Sequence, residues 1–280
     1  MNGARSVRAR LLNISKAGKI SFQIIVIRYL HERFLYRLSL SGYKNNLYLK
    51  GGSLVYVLHG ITCRPTKDID LLGKDISNDL ESINNVILNV IATEAGDDRV
   101  WFDKDSVKLE LITEHKGYTG VRVSVEGGFD TIKQRIQIDI GFGDVVSTEA
   151  KEIKYPVLLK DMHSPVIKAY SAEDVFAEKL QTIVELGAFN SRMKDFYDLY
   201  MLIVEDKVND TDLKKSIENT FKNRKTPLSL DGTLINGDLK QNKSFEKHWK
   251  AFLKKINSLE DVSFETVLDV IIQKVTILLK

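Results

Sequence analysis

The hydrophobic pattern of this chain changes near Pro165, and that change constrains the fold more than any other feature. Before it, three stretches have the alternating or β-branched character of strands, with glycine-containing turns between them: residues 107–114, 121–126 and 135–140. After it, apolar residues recur at helical spacing in residues 172–186, 192–203, 212–221, 245–256 and 264–279. The sequence therefore predicts an α+β fold, with a mixed or antiparallel sheet followed by a helical bundle.

The segment before these strands alternates between helical and extended patterns. An amphipathic helix is predicted over residues 20–40, ending before Ser41-Gly42, and further helices over residues 54–58 and 80–91. Short strands are predicted over residues 47–49 and 67–72, and a loop over residues 223–242. We predict two domains from this order, residues 1–165 around the sheet and residues 166–280 as the helical bundle.

Composition excludes several classes of protein. The chain has 280 residues, 43% of them hydrophobic and 28% charged, which is typical of a globular protein. Its single cysteine, Cys63, cannot form an intrachain disulfide, and no cysteine or histidine pair has the spacing of zinc ligands. No apolar run approaches the roughly 20 residues that cross a bilayer. We expect a cytoplasmic protein with no membrane partner.

Basic residues are concentrated in two parts of the chain. Residues 207–255 contain twelve Lys or Arg and six Asp or Glu, so this segment carries +6 whereas the whole chain carries +3. The first nineteen residues contain five basic residues and no acid. A segment with such an excess favours contact with a polyanion.

The most informative motif is a pair of acids on a predicted strand, Asp68-Ile69-Asp70. Side chains two residues apart on a strand point to the same face, about 6.6 Å apart along it, so the two carboxylates can share one or two hard cations. In the alternative interpretation, Asp68 pairs with Arg64 or Lys67 and Asp70 caps a turn. Two magnesium ions held by such acids support in-line displacement at a triphosphate.

A third carboxylate usually completes such a site. Asp139 is the best candidate, because it interrupts an apolar strand and could lie beside Asp70 in the sheet; Asp144 is the second choice. Gly51-Gly52-Ser53 ends fourteen residues before Asp68, between a strand and a helix. Glycines there allow backbone N–H groups and the Ser53 hydroxyl to approach a phosphate, although Ser53 could equally be an N-cap.

Five ordered motifs together resemble the AbiEii/AbiGii toxin family. They are Leu49-Lys-Gly-Gly-Ser53, Arg64-Pro-Thr-Lys-Asp68-Ile-Asp70, Ile138-Asp139-Ile140, Ala177-Glu-Lys179-Leu180 and Arg192-Met-Lys-Asp195-Phe-Tyr-Asp198-Leu199. The resemblance runs from about Arg8 to Ile203. It implies a nucleotidyltransferase domain like that of DNA polymerase β, joined to a helical bundle and acting as the toxin of a bacterial type IV toxin–antitoxin or abortive infection system.

The resemblance also implies an activity. Transfer of a nucleoside monophosphate from an NTP, such as GTP or CTP, to an acceptor hydroxyl is expected, with Mg²⁺ or Mn²⁺ held by Asp68, Asp70 and Asp139. The favoured acceptor is RNA, especially the 3′ end of tRNA. The cognate antitoxin would be encoded nearby and would not need to bind the toxin directly.

The resemblance and the residue types together predict which side chains bind the nucleotide. We predict that Gly52, Ser53, Lys179 and Asp198 bind the nucleotide, and that Asp195 orients Lys179, the nucleotide or the acceptor. An ordinary surface pairing of Lys179 with Glu178 or Asp174 is the alternative. The acids near a helix N-terminus would be favoured there without any functional role.

A candidate RNA-binding face follows helical spacing near the C-terminus. Its members are Lys243, Lys247, Lys250 and Lys254, beside Trp249 and Phe252. A stripe of lysines is more commonly a solvated face. Two other functions remain open from the sequence, namely a magnesium-dependent nuclease and a module that binds GTP or another NTP without transferring it.

Overall fold

A computed structural model describes residues 3–60, 63–115, 118–147, 150–228, 239, 243–258 and 261–279. The chain forms two compact units. The first contains residues 1–143 and 150–169, and the second contains residues 144–149 and 170–280. The predicted domain boundary after residue 165 stays a prediction. Along the chain, the compact units change at residues 143–144, 149–150 and 169–170.

The first unit is built on a seven-stranded mixed sheet. Its strands, in chain order, are β1 Leu47–Lys50, β2 Asp68–Gly73, β3 Trp101–His115, β4 Tyr118–Phe129, β5 Ile132–Gly141, β6 Lys151–Lys154 and β7 Val166–Ala169. They lie in the order β3-β4-β5-β2-β1-β7-β6. The predicted antiparallel arrangement of β3, β4 and β5 is confirmed. Strands β6 and β7 were not predicted, since each has only four residues and little alternation.

Four helices accompany the sheet in the described part of the first unit: α1 Gly3–Gly18, α2 Phe22–Leu40, α3 Gly51–His59 and α4 Leu80–Ala92. Helix α4 begins where the side chain of Asp79 accepts a hydrogen bond from the Ser82 N–H, as an N-cap does. Helix α1 spans the basic N-terminus, where the sequence predicted no helix or strand. None of the described helices in the chain is both long and apolar enough to cross a membrane.

Helix α2 differs from its prediction because it is buried on nearly every side. Its polar residues are buried as well, among them Glu32, Arg33 and Arg37. These groups have internal partners: Arg37 forms two hydrogen bonds with Asp98, and Glu32 Oε2 accepts one from the Leu158 N–H at 2.8 Å. Buried polar groups of this kind persist only when they are paired. The predicted amphipathic pattern therefore missed how deeply this helix lies in the unit.

The second unit is helical, as predicted. Its described helices are α5 Ala172–Leu186, α6 Met193–Val204, α7 Asp210–Asn223, α8 Lys243–Ile256 and α9 Phe264–Leu279, with a 3₁₀ turn at Gly187–Phe189. Ser171 caps α5 by accepting from the Asp174 N–H. Aromatic contacts join α6, α8 and α9 through Phe196, Phe245 and Phe264. Most of the predicted loop 223–242 lies outside the described residues.

Candidate active site of the first unit

Sheet pairing brings the three predicted acids together. Strand β2 runs parallel to β5, and Asp70 lies directly beside Asp139 in that pairing. Asp68 projects from the same strand as Asp70, two residues earlier. One carboxylate oxygen from each of Asp68, Asp70 and Asp139 can be chosen so that all three lie within 4.8 Å of one another. The predicted neighbourhood of Asp70 and Asp139 is confirmed.

This donor set suits a hard divalent cation. Carboxylate oxygens are the ligands that Mg²⁺ and Mn²⁺ prefer, and three of them converge on one point. No cysteine or histidine belongs to this cluster among the described residues, so its chemistry does not favour a soft metal. The second-choice acid, Asp144, belongs instead to the second unit, where Arg224 donates to its Oδ1.

The glycine motif holds the acid strand in place. Gly52 N–H donates to Asp70 Oδ2 at 2.9 Å, and the fully buried Ser53 hydroxyl donates to the Asp68 carbonyl oxygen at 3.0 Å. Gly51 has φ +57°, and a Cβ there would overlap Asp70 Oδ2. Glycine is therefore required at position 51 for two reasons, its conformation and the close carboxylate.

These contacts give Gly52 and Ser53 a structural role, and their predicted phosphate contact stays a prediction. The sequence assigned both residues to a phosphate, but the Gly52 N–H and the Ser53 hydroxyl are already directed at the acid strand. A phosphate contact from either group would require these hydrogen bonds to be shared or released. In this structure the Gly52 N–H orients the Asp70 carboxylate, whereas the Ser53 hydroxyl holds the backbone of Asp68.

Three residues that sequence reasoning missed also contact the acids. Thr66 Oγ1 donates to Asp68 Oδ1 at 2.7 Å. Arg122 Nε and Nη2 each donate to one oxygen of Asp139 at 2.9 Å, and Gln137 Nε2 donates to both oxygens at 3.2 Å. Arg122 carried a weak signal in the sequence, since it is a charged residue between Val121 and Val123 on a predicted strand.

The buried histidine of α2 lies in the field of the same acids. Burial lowers the pKa of His31 to about 4, and the negative charge of Asp68 opposes that shift. Its Nε2 atom is buried and has no hydrogen-bond partner among the described residues. At neutral pH the imidazole is therefore uncharged, and it adds no positive charge to the acid cluster.

The lysine and aspartates of the fourth and fifth motifs lie together in the second unit. Lys179 Nζ is 2.9 Å from Asp195 Oδ1 and 2.7 Å from Asp198 Oδ2, and both aspartates are buried. Arg192 Nε is 2.6 Å from the other oxygen of Asp195. Burial raises the pKa of Asp195, but Lys179 and Arg192 outweigh that effect and hold it well below its usual range.

This cluster replaces the surface pairings considered for Lys179. Its ammonium is directed at two buried carboxylates on the next helix, and the predicted contact between Lys179 and Asp195 is present. Removal of one partner from a buried ion cluster leaves an uncompensated charge. The cluster therefore ties α5 to α6, whatever ligand it also binds.

The lysine face of α8 is exposed, whereas the two aromatic residues predicted beside it pack against other rings: Phe252 contacts Tyr197 and Trp249. Lys247, Lys250 and Lys254 are exposed, and Lys250 Nζ is 3.4 Å from Glu246 Oε1. The Lys243 side chain lies outside the described residues. Trp249 is fully buried and donates from Nε1 to the Val262 carbonyl, so it packs in the helical core instead of beside the lysines.

Three acids that converge from neighbouring strands of a mixed sheet are compatible with a nucleotidyltransferase. A family model described as "Nucleotidyl transferase AbiEii toxin, Type IV TA system" matches residues 33–270. The chain belongs to this family of nucleotidyltransferase toxins. The family implies a nucleotide substrate and an antitoxin partner. The predicted family and enzyme class are thus confirmed.

Solved structures with remote similarity carry related names. A candidate nucleotidyltransferase from H. pylori has 14% identity and a TM-score of 0.49, with 88% of this chain and 90% of that chain covered. JHP933 from Helicobacter pylori has 15% identity and a TM-score of 0.49, covering 88% and 87%. An antigenic nucleotidyltransferase-like protein from Paracoccidioides brasiliensis has 13% identity and a TM-score of 0.34, covering 80% and 84%. No curated protein matches the chain.

Proposed function

We propose that this toxin transfers a nucleoside monophosphate from an NTP to the terminal hydroxyl of an RNA, with the 3′ end of tRNA as the favoured acceptor. The observation that supports it most is the convergence of Asp68, Asp70 and Asp139 within 4.8 Å, from two strands that are adjacent only in the folded sheet. We place the reaction in the cytoplasm, where NTPs and tRNA are abundant.

In this proposal the three aspartates hold Mg²⁺ or Mn²⁺. Ions bound by these residues would supply the charge that activates the attacking hydroxyl and neutralises the triphosphate. Thr66 fixes the rotamer of Asp68, and the Gly52 N–H fixes that of Asp70. The acids are therefore oriented before any ligand arrives, which lowers the cost of assembling the site.

The second unit contributes two parts of the proposal. Lys179, held by Asp195 and Asp198, is assigned to nucleotide binding by the family motif, and its buried partners fix the position of the ammonium. The exposed lysines of α8 are assigned to the RNA backbone, because the surrounding segment carries an excess of positive charge. GTP and CTP are the first nucleotides to test.

One experiment distinguishes transfer from the two other functions that the sequence left open. The purified protein is incubated with each α-³²P-labelled NTP, Mg²⁺ or Mn²⁺, and total RNA. Label that becomes covalently attached to RNA of tRNA size supports the proposal. Shortened RNA would indicate a nuclease, and nucleotide retained by the protein without transfer would indicate a binding module. The Asp70→Asn variant is the control for contaminating activity.

A further inference from the structure

A row of charged residues crosses the sheet through the proposed metal site. Glu110 on β3 lies opposite Arg122 on β4, Arg122 lies opposite Asp139 on β5, and Asp139 lies beside Asp70 on β2. Residues directly paired in neighbouring strands project to the same face. The row continues to Lys50 on β1, which lies opposite Asp70, so its charges run negative, positive, negative, negative and positive. Arg122 is the cation between Glu110 and Asp139.

Arg122 is hydrogen-bonded to Asp139, one of the three proposed metal ligands. It donates to both oxygens of Asp139 at 2.9 Å, and Gln137 donates to the same two oxygens. A carboxylate has about four lone-pair positions. Both oxygens of Asp139 are thus already hydrogen-bonded, and a cation would compete with Arg122 and Gln137 for them.

Arg122 also has a second acid within reach. Its Nη1 atom is 3.8 Å from Glu110 Oε1, on the side away from Asp139. The Arg122 side chain is 35% exposed and that of Glu110 is 65% exposed, whereas Asp139 is only 9% exposed. The arginine therefore has room to turn, and Glu110 is hydrated enough to receive it without a large desolvation cost.

We propose that Arg122, which pairs with Asp139 in this structure, competes with a divalent cation for that carboxylate and turns toward Glu110 when the cation binds. Its charge offsets the repulsion among the three acids. The same charge competes with the cation for Asp139. Arg122 thereby lowers the affinity of the three aspartates for a divalent cation when no nucleotide is bound. The negative charge of a bound NTP is then needed for the cation to bind there. This inference rests on the proposed metal role of the three aspartates.

Mn²⁺ binding, measured by electron paramagnetic resonance without nucleotide, tests the competition directly. Arg122→Met keeps the length of the stem and removes the charge. We expect its Mn²⁺ affinity to rise by about tenfold, the effect of roughly one unit charge at a partly solvated site. Its unfolding temperature without metal should fall, and added Mn²⁺ should stabilise the variant more than the parent.

Glu110→Gln, at an exposed position, should change Mn²⁺ affinity in the opposite direction to Arg122→Met. It removes the second partner of Arg122, so Mn²⁺ affinity should decrease. The double variant should bind Mn²⁺ as Arg122→Met does, since Glu110 acts here only through the arginine. Arg135→Met is the matched control, because Arg135 pairs with Glu126 on the same two strands, away from the acids. It should leave Mn²⁺ affinity unchanged.

The outcomes separate this inference from the proposed function. Unchanged or weaker Mn²⁺ binding by Arg122→Met, with normal binding by the parent, would overturn the competition and leave the metal assignment intact. Additive effects in the double variant would also overturn it. A parent that binds no Mn²⁺, with or without NTP, would instead refute the metal assignment itself.

Discussion

Single residues decide whether the acid cluster is a metal site. Asp139 is paired with the charged Arg122, whereas Asp68 accepts a hydrogen bond from Thr66 and Asp70 accepts one from the Gly52 N–H. The three acids are therefore not equivalent in the metal-free protein. Their substitutions should separate an effect on activity from an effect on stability.

Asp68→Asn and Asp70→Asn should each reduce nucleotide transfer by about 100-fold or more, because each removes a charge that balances the divalent cation. The unfolding temperature without metal should stay the same or rise, since repulsion in the cluster is relieved. Asp139→Asn should lower it, because Arg122 loses its charged partner. Transfer assays and thermal unfolding of the three purified variants measure both effects. Full activity in either of the first two would refute the metal assignment.

A residue remote from the acids should control the pH dependence of stability. Burial raises the pKa of Glu32 from 4.5 to about 8, although Arg33 opposes this. The folded protein therefore binds a proton that the unfolded chain releases between these pH values. The resulting stabilisation is complete below pH 4.5 and disappears as the pH rises through about 8. The shift sets an upper limit of about 5 kcal/mol.

Glu32→Gln removes this titration and keeps a hydrogen-bond acceptor for the Leu158 N–H. The parent should lose stability between about pH 4.5 and pH 8 relative to the variant. Urea unfolding of both proteins across this range measures the difference. Parallel curves would show that Glu32 is ionised throughout and that Arg33 fully compensates its charge.

Among the helices and strands, the long segments with a clear hydrophobic pattern were predictable. Helices α5 and α9 have the predicted bounds, and the β3–β4–β5 meander has the predicted order. The sequence could not show that α2 is buried on nearly all sides, because its partners Asp98 and Leu158 lie far away in the chain. Arg122 was missed for a related reason, since only the strand register places it against Asp139.

The ion cluster between α5 and α6 leads to a prediction at the same scale. Lys179→Met should destabilise the protein by about 3–5 kcal/mol, because Asp198 and Asp195 lose a buried partner. Lys179→Met with Asp198→Asn should recover part of that stability. Urea unfolding measures both changes, and nucleotide binding is then compared in the double variant. Normal binding there would mean that Lys179 is structural and does not bind the nucleotide.

At the scale of the whole molecule, the prediction concerns the binding of RNA by the exposed lysines of α8. Lys247→Glu with Lys254→Glu reverses two exposed charges on α8 and spares Lys250, which pairs with Glu246. RNA affinity should fall. The slope of its logarithm against log salt should become shallower by about 0.7 to 0.9 for each phosphate that the lysines no longer neutralise. NTP affinity should not change.

The control reverses equal charge elsewhere in the same unit. Lys214 and Lys215 are exposed on α7, and their replacement by Glu changes the net charge by the same amount. Equal decreases in RNA affinity in both double variants would indicate a general field effect. An unchanged salt slope in the α8 variant would exclude this face, and the basic helix α1 would be tested next.

The pairing of β2 with β5 determines when the toxin can become active during its synthesis. Asp68 and Asp70 leave the ribosome about seventy residues before Asp139, and β1 must wait for β7 to complete its other side. A nascent or prematurely terminated chain that ends before β5 therefore carries two of the three acids in a strand without its neighbour. In the proposed mechanism, the complete set of acids is present only after the whole meander has emerged, so we expect incomplete translation products to lack transfer activity.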